Sequence, residues 1–178
     1  MKKLILFSAF ALALVMTTSA QSFKFGAKAG VNFASLNGDG ADGLDGITNI
    51  HFGAVAEIGI SDKFAFQPEL LYSAQGASVS DIDINLNYLT VPLLAKFKIS
   101  EGFSIEAGPQ VGFLVKDEVL GENLEADSFD FALNLGLGYT LDNGLFFQGR
   151  YSFGLTEIAE DADATNGAFQ LSVGYFFF

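Results

Sequence analysis

The stretch from Phe129 to Thr140, FDFALNLGLGYT, alternates bulky apolar residues with small or polar residues at every second position. A β-strand points successive side chains to opposite faces, so the pattern predicts a strand with one apolar face and one polar face. A sheet made of such strands must place its whole apolar face in an apolar environment. This requirement limits the fold of the chain more than any other feature of the sequence.

Seven further segments repeat this alternation, and no helical period of 3.6 separates them. The eight predicted strands cover approximately residues 23–33, 49–60, 64–75, 82–99, 103–115, 129–140, 145–155 and 169–177. The fourth strand starts with its apolar residues at even positions and continues with them at odd positions. This change falls at Tyr88 and Leu89, where it predicts a β-bulge.

The connections between the predicted strands alternate between short and long. Tight hairpin turns are expected at Ser61-Asp62-Lys63, Ser100-Glu101-Gly102 and Asp142-Asn143-Gly144. Longer links are expected at about 37–48, 76–81, 117–127 and 156–167. Short periplasmic turns and longer outside loops are typical of a β-meander that crosses a membrane.

The aromatic residues, 20 Phe and 5 Tyr in the whole chain, lie mainly on the apolar strand faces. Beyond residue 20 the exceptions are Phe146, Phe176 and Phe178. The interior of an eight-stranded barrel is only just filled by side chains, so a soluble barrel would have little room for this face. A membrane barrel turns it toward lipid and keeps the lumen polar. The sequence therefore predicts an all-β protein, an eight-stranded antiparallel up-and-down transmembrane β-barrel.

The polar strand faces carry basic residues together with carboxylates, and buried charges are tolerated when they are paired. We predict a structural ion network in the lumen, formed by Lys24, Lys28, Glu57, Glu69, Lys96, Lys98, Glu106, Asp130 and Arg150. Arg150 is expected to contact at least one of these four carboxylates. The alternative, that the carboxylates are catalytic acid–base pairs, is disfavoured by the number of basic partners on the same face.

The first twenty residues have the three parts of a secretory signal. Lys2 and Lys3 precede an apolar run from Leu4 to Met16, and Thr18-Ser19-Ala20 supplies small residues for cleavage. The run is too short for a spanning helix, which disfavours the alternative of a retained anchor. We predict a cleaved signal peptide at 1–20 and an exported barrel domain at 21–178.

The charge and the cysteine content exclude several classes of function. Removing residues 1–20 takes away Lys2 and Lys3 and no acidic residue, so the formal charge of −12 becomes −14. A chain this acidic is expected to repel nucleic acid. The sequence contains no Cys, which excludes disulfides, thiolate catalysis and cysteine-based metal sites. No cofactor is predicted.

The segment 37–46, NGDGADGLDG, has the composition of a calcium loop but not its spacing. An EF-hand frame that starts at Asn37 or at Asp39 puts Ala41 or Gly43 where an oxygen ligand is needed. We therefore predict no metal site and interpret the segment as a solvated outward loop. Weak binding of divalent cations by the acidic loops is a minor alternative, and an external partner of these loops is left open.

His51 is the only histidine in the chain. It shares parity with Glu57, so its side chain is expected to point into the lumen. Some small outer-membrane barrels are enzymes that use His with Ser or Asp. Without a further signal in the sequence, we predict a polar lumenal role for His51 and no catalytic residues.

Six segments together resemble the PorT-like outer-membrane β-barrel family of Bacteroidetes-type bacteria. They are QPELLYSAQG (67–76), NYLTVPLLAKF (87–97), EAGPQVGF (106–113), FDFALNLGLGY (129–139), RYSFGLTEI (150–158) and LSVGYFFF (171–178). The resemblance covers essentially the whole mature chain. It implies an eight-stranded barrel embedded in outer-membrane lipid and inserted by the barrel-assembly machinery. It implies no defined transport activity.

These observations favour an integral outer-membrane protein that is not an enzyme and has a structural or surface-interaction role. A narrow porin-like channel for small solutes is the first alternative. A lipid-modifying barrel enzyme is a remote alternative that depends on His51 alone.

Overall fold

A computed structural model describes residues 22–37, 45–79, 82–119, 129–157 and 165–177. These residues form eight β-strands: β1 (Phe23–Asn37), β2 (Asp45–Gly59), β3 (Phe64–Val79), β4 (Ile82–Lys98), β5 (Phe103–Val119), β6 (Phe129–Thr140), β7 (Leu145–Glu157) and β8 (Thr165–Phe176). Within these ranges, no helix is long and apolar enough to cross a membrane.

The eight strands close into a barrel in which each strand pairs antiparallel with the next. The barrel is sealed by β1 and β8, whose register runs from Gly26 opposite Phe176 to Asn37 opposite Thr165. Closure leaves no sheet edge, so the described strands satisfy one another's backbone groups. The predicted all-β, eight-stranded, up-and-down antiparallel barrel is confirmed.

Three tight turns lie at the same end of the barrel, which we call the turn end. Gly102 and Gly144 have φ angles of 83° and 91°, in the left-handed region that favours glycine. In the last turn Asn143 Oδ1 accepts a hydrogen bond of 3.0 Å from the Leu145 N–H. These local features explain why the chain reverses in so few residues.

At the opposite end, which we call the loop end, the strands are longer than predicted. The predicted long link at 76–81 is wrong, because β3 continues to Val79 and β4 begins at Ile82. Ala77, Ser78 and Val79 pair across the hairpin, so ladder hydrogen bonds extend the strands. Most residues of the three other predicted loops, including 38–44 of the acidic segment, lie outside the described residues.

The predicted parity of the faces is confirmed along β6. Leu133, Leu135 and Leu137 are 48 %, 53 % and 61 % exposed, whereas Asn134 between them is 1 % exposed. The exposed leucines form part of an apolar outer surface that faces lipid in a membrane barrel.

The change of phase predicted at Tyr88 and Leu89 is wrong, but a β-bulge does lie beside Tyr88, with its extra residue on the neighbouring strand β5. Leu86 and Tyr88 are buried and share the inward parity of Thr90, so β4 keeps one phase throughout these positions. The register shift between β4 and β5 lies between Asn87–Lys116 and Tyr88–Leu114, which leaves Val115 of β5 as the extra residue. Leu86 and Tyr88 are apolar at inward positions because they fill the lumen toward the loop end.

Two aromatic residues that break the outward pattern fill the lumen near the turn end. The rings of Phe146 and Phe176 lie 4.6 Å apart between centroids, and both side chains form a buried cluster with Val55. Lys24 and Lys96 place their ammonium groups 5.6 and 5.9 Å from the centroid of the Phe176 ring. The inward phase of these two aromatics therefore serves packing inside the barrel.

Candidate functional site

The lumen is filled by polar and charged side chains whose inward direction follows from strand parity. At its centre is Glu69 on β3, whose carboxylate is completely buried. Arg150 on β7 donates from Nη2 to Glu69 Oε1 (2.7 Å) and from Nη1 to Oε2 (3.0 Å). Lys28 on β1 lies 2.8 Å from Glu69 Oε2, and Gln67 Nε2 donates to Oε1 at 2.7 Å. One carboxylate therefore joins three strands.

Glu106 on β5 extends this cluster toward the turn end. Its Oε2 accepts a hydrogen bond of 2.8 Å from Gln148 Nε2 and lies 3.8 Å from Arg150 Nη2. Its Oε1 lies 3.5 Å from Lys96 Nζ and accepts from Ser104 Oγ at 3.4 Å. Glu106 is thus the link between the Arg150 layer and the lysines near the turn end.

Glu57 on β2 is the third carboxylate and is surrounded by lysines. Lys96 Nζ lies 2.9 Å from Glu57 Oε2, while Lys24 Nζ and Lys98 Nζ lie 3.5 and 3.9 Å from Oε1. The side chains of Lys24 and Lys98 are 37 % and 35 % exposed, and that of Glu57 is buried. This group forms the outermost layer of the lumen at the turn end.

The structure joins eight of the nine predicted network residues through these ion pairs. Asp130 is the exception and corrects the predicted set. It is buried, but it accepts a hydrogen bond of 3.2 Å from Asn166 Nδ2, and among the described residues it forms no ion pair. Asp130 lies at the loop end of β6, whereas Arg150 pairs with Gly136 further along that strand. The separation along β6 keeps the two charges apart.

His51 points into the lumen, as predicted, and bridges two other strands. Asn32 Nδ2 donates to the Ala74 carbonyl (2.7 Å), which turns its Oδ1 toward His51 Nδ1, also at 2.7 Å. A carbonyl oxygen only accepts, so Nδ1 carries the proton and Nε2 accepts from the Ser172 hydroxyl at 2.7 Å. Ser172, His51 and Asn32 have the bonding order of a nucleophile, a base and an orienting group. His51 is only 1 % exposed, which favours a structural role.

Gly30 makes this bridge between β2 and β8 possible. On β1 it lies opposite both His51 and Ser172. A Cβ atom at Gly30 would collide with the Leu171 carbonyl oxygen and would also come within 2.7 Å of His51 Cε1 and 2.8 Å of Nε2. The missing side chain therefore leaves the space that the imidazole crosses to reach Ser172.

Neutral amides were missing from the predicted network, although strand parity could have identified them. Gln148 accepts a hydrogen bond of 2.9 Å from Lys28 Nζ, and Gln67 accepts one of 3.2 Å from Lys96 Nζ. Asn134 Nδ2 donates to Gln110 Oε1 at 3.2 Å. These amides provide hydrogen-bond partners in the lumen in addition to the ion pairs.

Within the described residues, the lumen contains many ion pairs and amide hydrogen bonds. These side chains do not form a set of metal ligands. No group of three or more His, Asp or Glu side chains in the described ranges is placed to hold an ion. Inward-facing side chains with 0–5 % exposure occur at every level from Asn166 and Tyr88 to Glu57. The arrangement can therefore close the barrel interior with paired charges.

Comparison with solved structures gives eight-stranded outer-membrane barrels. Neisserial surface protein A is 13 % identical, with a TM-score of 0.63, and the alignment covers 89 % of this chain and 100 % of that one. Ail, the attachment invasion locus protein of Yersinia pestis, is 19 % identical, with a TM-score of 0.59 and coverage of 86 % and 98 %. At these identities the likeness shows the fold alone. No protein of curated function matches the chain.

A family model described as "Outer membrane protein beta-barrel domain" matches residues 19–160. This range includes most of the barrel, from β1 through β7. Because the match covers well over half of the chain and the strands close as such a domain requires, the protein belongs to the outer membrane protein beta-barrel domain family and lies in the cell outer membrane.

Proposed function

We propose that the protein is a non-conducting, non-enzymatic barrel that anchors a structural or surface-interaction function in the outer membrane. The observation that carries this proposal is the buried contact of Arg150 and Lys28 with Glu69 in the middle of the lumen. Fully buried, paired charges exclude water from that layer, and eight strands leave little space around them. A barrel closed in this way acts through its surfaces.

The acidic connections are the surface that we assign to partners outside the cell. Residues 157–163 alone contain Glu157, Glu160, Asp161 and Asp163. Such a segment favours contact with cationic partners, or with divalent cations beside an anionic lipid surface. We further propose membership of the PorT-like subgroup and insertion by the barrel-assembly machinery, on the sequence resemblance given above.

Single-channel recording in planar bilayers tests the closed lumen. We expect no conductance steps from the wild-type barrel. The double variant Arg150→Ala with Glu69→Ala removes both the charges and the volume of the central layer, so we expect it to conduct small ions. Lys63→Ala, which changes an exposed turn residue outside the lumen, is the matched control and is expected to stay silent. Regular conductance steps from the wild type would replace this proposal with the narrow channel.

A further inference from the structure

The lumen opens at the turn end into a vestibule that no part of the proposed function uses. This cavity has a volume of about 520 Å³ and is lined by residues that include Lys24, Lys98, Ser104, Thr140, Asn143 and Phe176. Its floor is the Glu57 layer of the ion network. Because short turns of membrane barrels face the periplasm, the vestibule is open to that compartment.

The ion network carries an excess of positive charge, and this excess is concentrated at the vestibule. Five cations, Lys24, Lys28, Lys96, Lys98 and Arg150, share the carboxylates of Glu57, Glu69 and Glu106. Two positive charges therefore have no carboxylate of their own within the network. Arg150 and Lys28 are in close contact with Glu69, and Lys96 is in close contact with Glu57. The excess falls on Lys24 and Lys98.

The geometry of Lys24 and Lys98 agrees with this assignment. Their Nζ atoms lie 3.5 and 3.9 Å from Glu57 Oε1, beyond the 2.7–2.9 Å typical of a charge-assisted hydrogen bond. Glu57 Oε1 accepts no hydrogen bond from the described residues. Both lysine side chains are about one-third exposed and line the same cavity, so their ammonium groups can reach a ligand there.

The other groups around the vestibule suit a small polar anion. Ser104 and Thr140 supply hydroxyl groups and Asn143 an amide. Asp142 is the one further acidic residue among the described residues that line the cavity, and it lies in the exposed turn. Two unmatched lysine charges correspond to the charge of −1.5 to −2 that a phosphate monoester carries near neutral pH.

We propose that this vestibule binds a phosphate group from the periplasmic side, with Lys24 and Lys98 as its two cationic ligands. The site binds either a free phosphate compound or a phospholipid headgroup of the inner leaflet that reaches over the barrel rim. Lysine binds phosphate as a point charge, so the site recognises charge and size rather than a fixed bidentate geometry.

Nuclear magnetic resonance of the refolded barrel in a phosphate-free detergent tests the site. Inorganic phosphate is titrated at constant ionic strength, with chloride as the balancing anion. We expect saturable shifts of the Gly102 and Gly144 amides, which border the vestibule. Lys24→Gln with Lys98→Gln is expected to abolish saturation, and each single change to weaken binding about tenfold, as for loss of one charge-assisted hydrogen bond. If the double variant does not fold, the two single variants decide the result.

Lys63→Gln is the matched control, because Lys63 lies in an exposed turn at the same end and does not line the vestibule. It removes the same charge and is expected to leave the phosphate affinity unchanged. The proposal is overturned if the wild type gives no saturable shift, if the double lysine variant retains it, or if Lys63→Gln weakens it as much as the single vestibule variants do. Competition by glycerol 3-phosphate alone assigns the site to soluble ligands, and competition by short-chain phosphatidic acid assigns it to lipid.

Discussion

Arg150 on β7 and Glu69 on β3 are 81 positions apart in the chain, yet the guanidinium binds both oxygens of the carboxylate inside the barrel, at 2.7 and 3.0 Å. Glu69 also binds Lys28, whereas Arg150 has Glu106, at 3.8 Å, as its one other carboxylate among the described residues. The Glu69 carboxylate is therefore shared by two cations, Lys28 and Arg150.

This asymmetry predicts that Glu69→Gln destabilises the barrel more than Arg150→Met. The change at Glu69 leaves two buried cations without their carboxylate, whereas Arg150→Met leaves Glu69 paired with Lys28. Breaking a buried ion pair costs about 3–5 kcal/mol, and we expect Arg150→Met near the lower value. Urea unfolding in detergent measures both variants. Lys24→Met is the control, because the Lys24 side chain is 37 % exposed and lies 3.5 Å from Glu57, and its expected loss is about 0–1 kcal/mol. A smaller loss for Glu69→Gln than for Arg150→Met would contradict this account.

Arginine at a lipid-facing position should be costly in proportion to its depth. Leu135, 53 % exposed, lies at the middle of β6, and Leu155, 59 % exposed, lies near the loop end of β7. We expect Leu135→Arg to destabilise the barrel in lipid by about 2–4 kcal/mol and Leu155→Arg by about 0–1 kcal/mol. Equal losses in a chemical denaturation experiment in liposomes would show that the two leucines do not lie at different depths.

The close packing around Gly30 predicts unequal effects of alanine at two glycines. At Gly30 a Cβ would collide with the Leu171 carbonyl oxygen and with the His51 imidazole, whereas at Gly149 its nearest neighbour is Leu171 Cδ2 at an ordinary 3.7 Å. Gly30→Ala is expected to destabilise the barrel by about 1–3 kcal/mol, the usual cost of overpacking. Gly149→Ala is expected to be neutral or slightly stabilising. Thermal unfolding of both variants is the measurement, and a neutral Gly30→Ala would remove the steric argument.

The absence of cysteine makes the orientation of the barrel directly measurable. A single Cys at Asp161, in the connection between β7 and β8, is expected to react with a membrane-impermeant maleimide on intact cells. A single Cys at Asp142, in a short turn, is expected to react only after the outer membrane is permeabilised. Labelling of Asp142→Cys on intact cells would show that the orientation is the opposite one and that the vestibule lies at the outer surface.

Removal of the first twenty residues is expected during export. Mass spectrometry of the protein from isolated outer membranes should find an N-terminus at Gln21. On gels, the same protein should change its mobility when the sample is heated. A retained Met1 would show that the apolar run from Leu4 to Met16 acts as an anchor instead.

Most of the sequence prediction rests on parity, because the period of two predicts whether each side chain points inward or outward. It identified Arg150, Glu69 and His51 as lumenal without any knowledge of their partners. It failed for Leu86 and Tyr88, where apolar residues face inward and imitate a change of phase. It also could not separate Asp130 from the ion network. Parity specifies the face of a residue, whereas the position along the barrel axis depends on the register between strands.

The seam between β1 and β8 has a consequence for how the protein matures. Until it forms, the inserted sheet exposes two rows of unpaired backbone groups to hydrocarbon, at a cost of several kcal/mol for each group. Lys28 from β1 and Arg150 from β7 meet at Glu69 only when the sheet has curled, so the same step pairs these buried charges. A chain that ends before β8 has neither a sealed edge nor a closed interior. We expect quality control in the envelope to treat such a chain as unfolded.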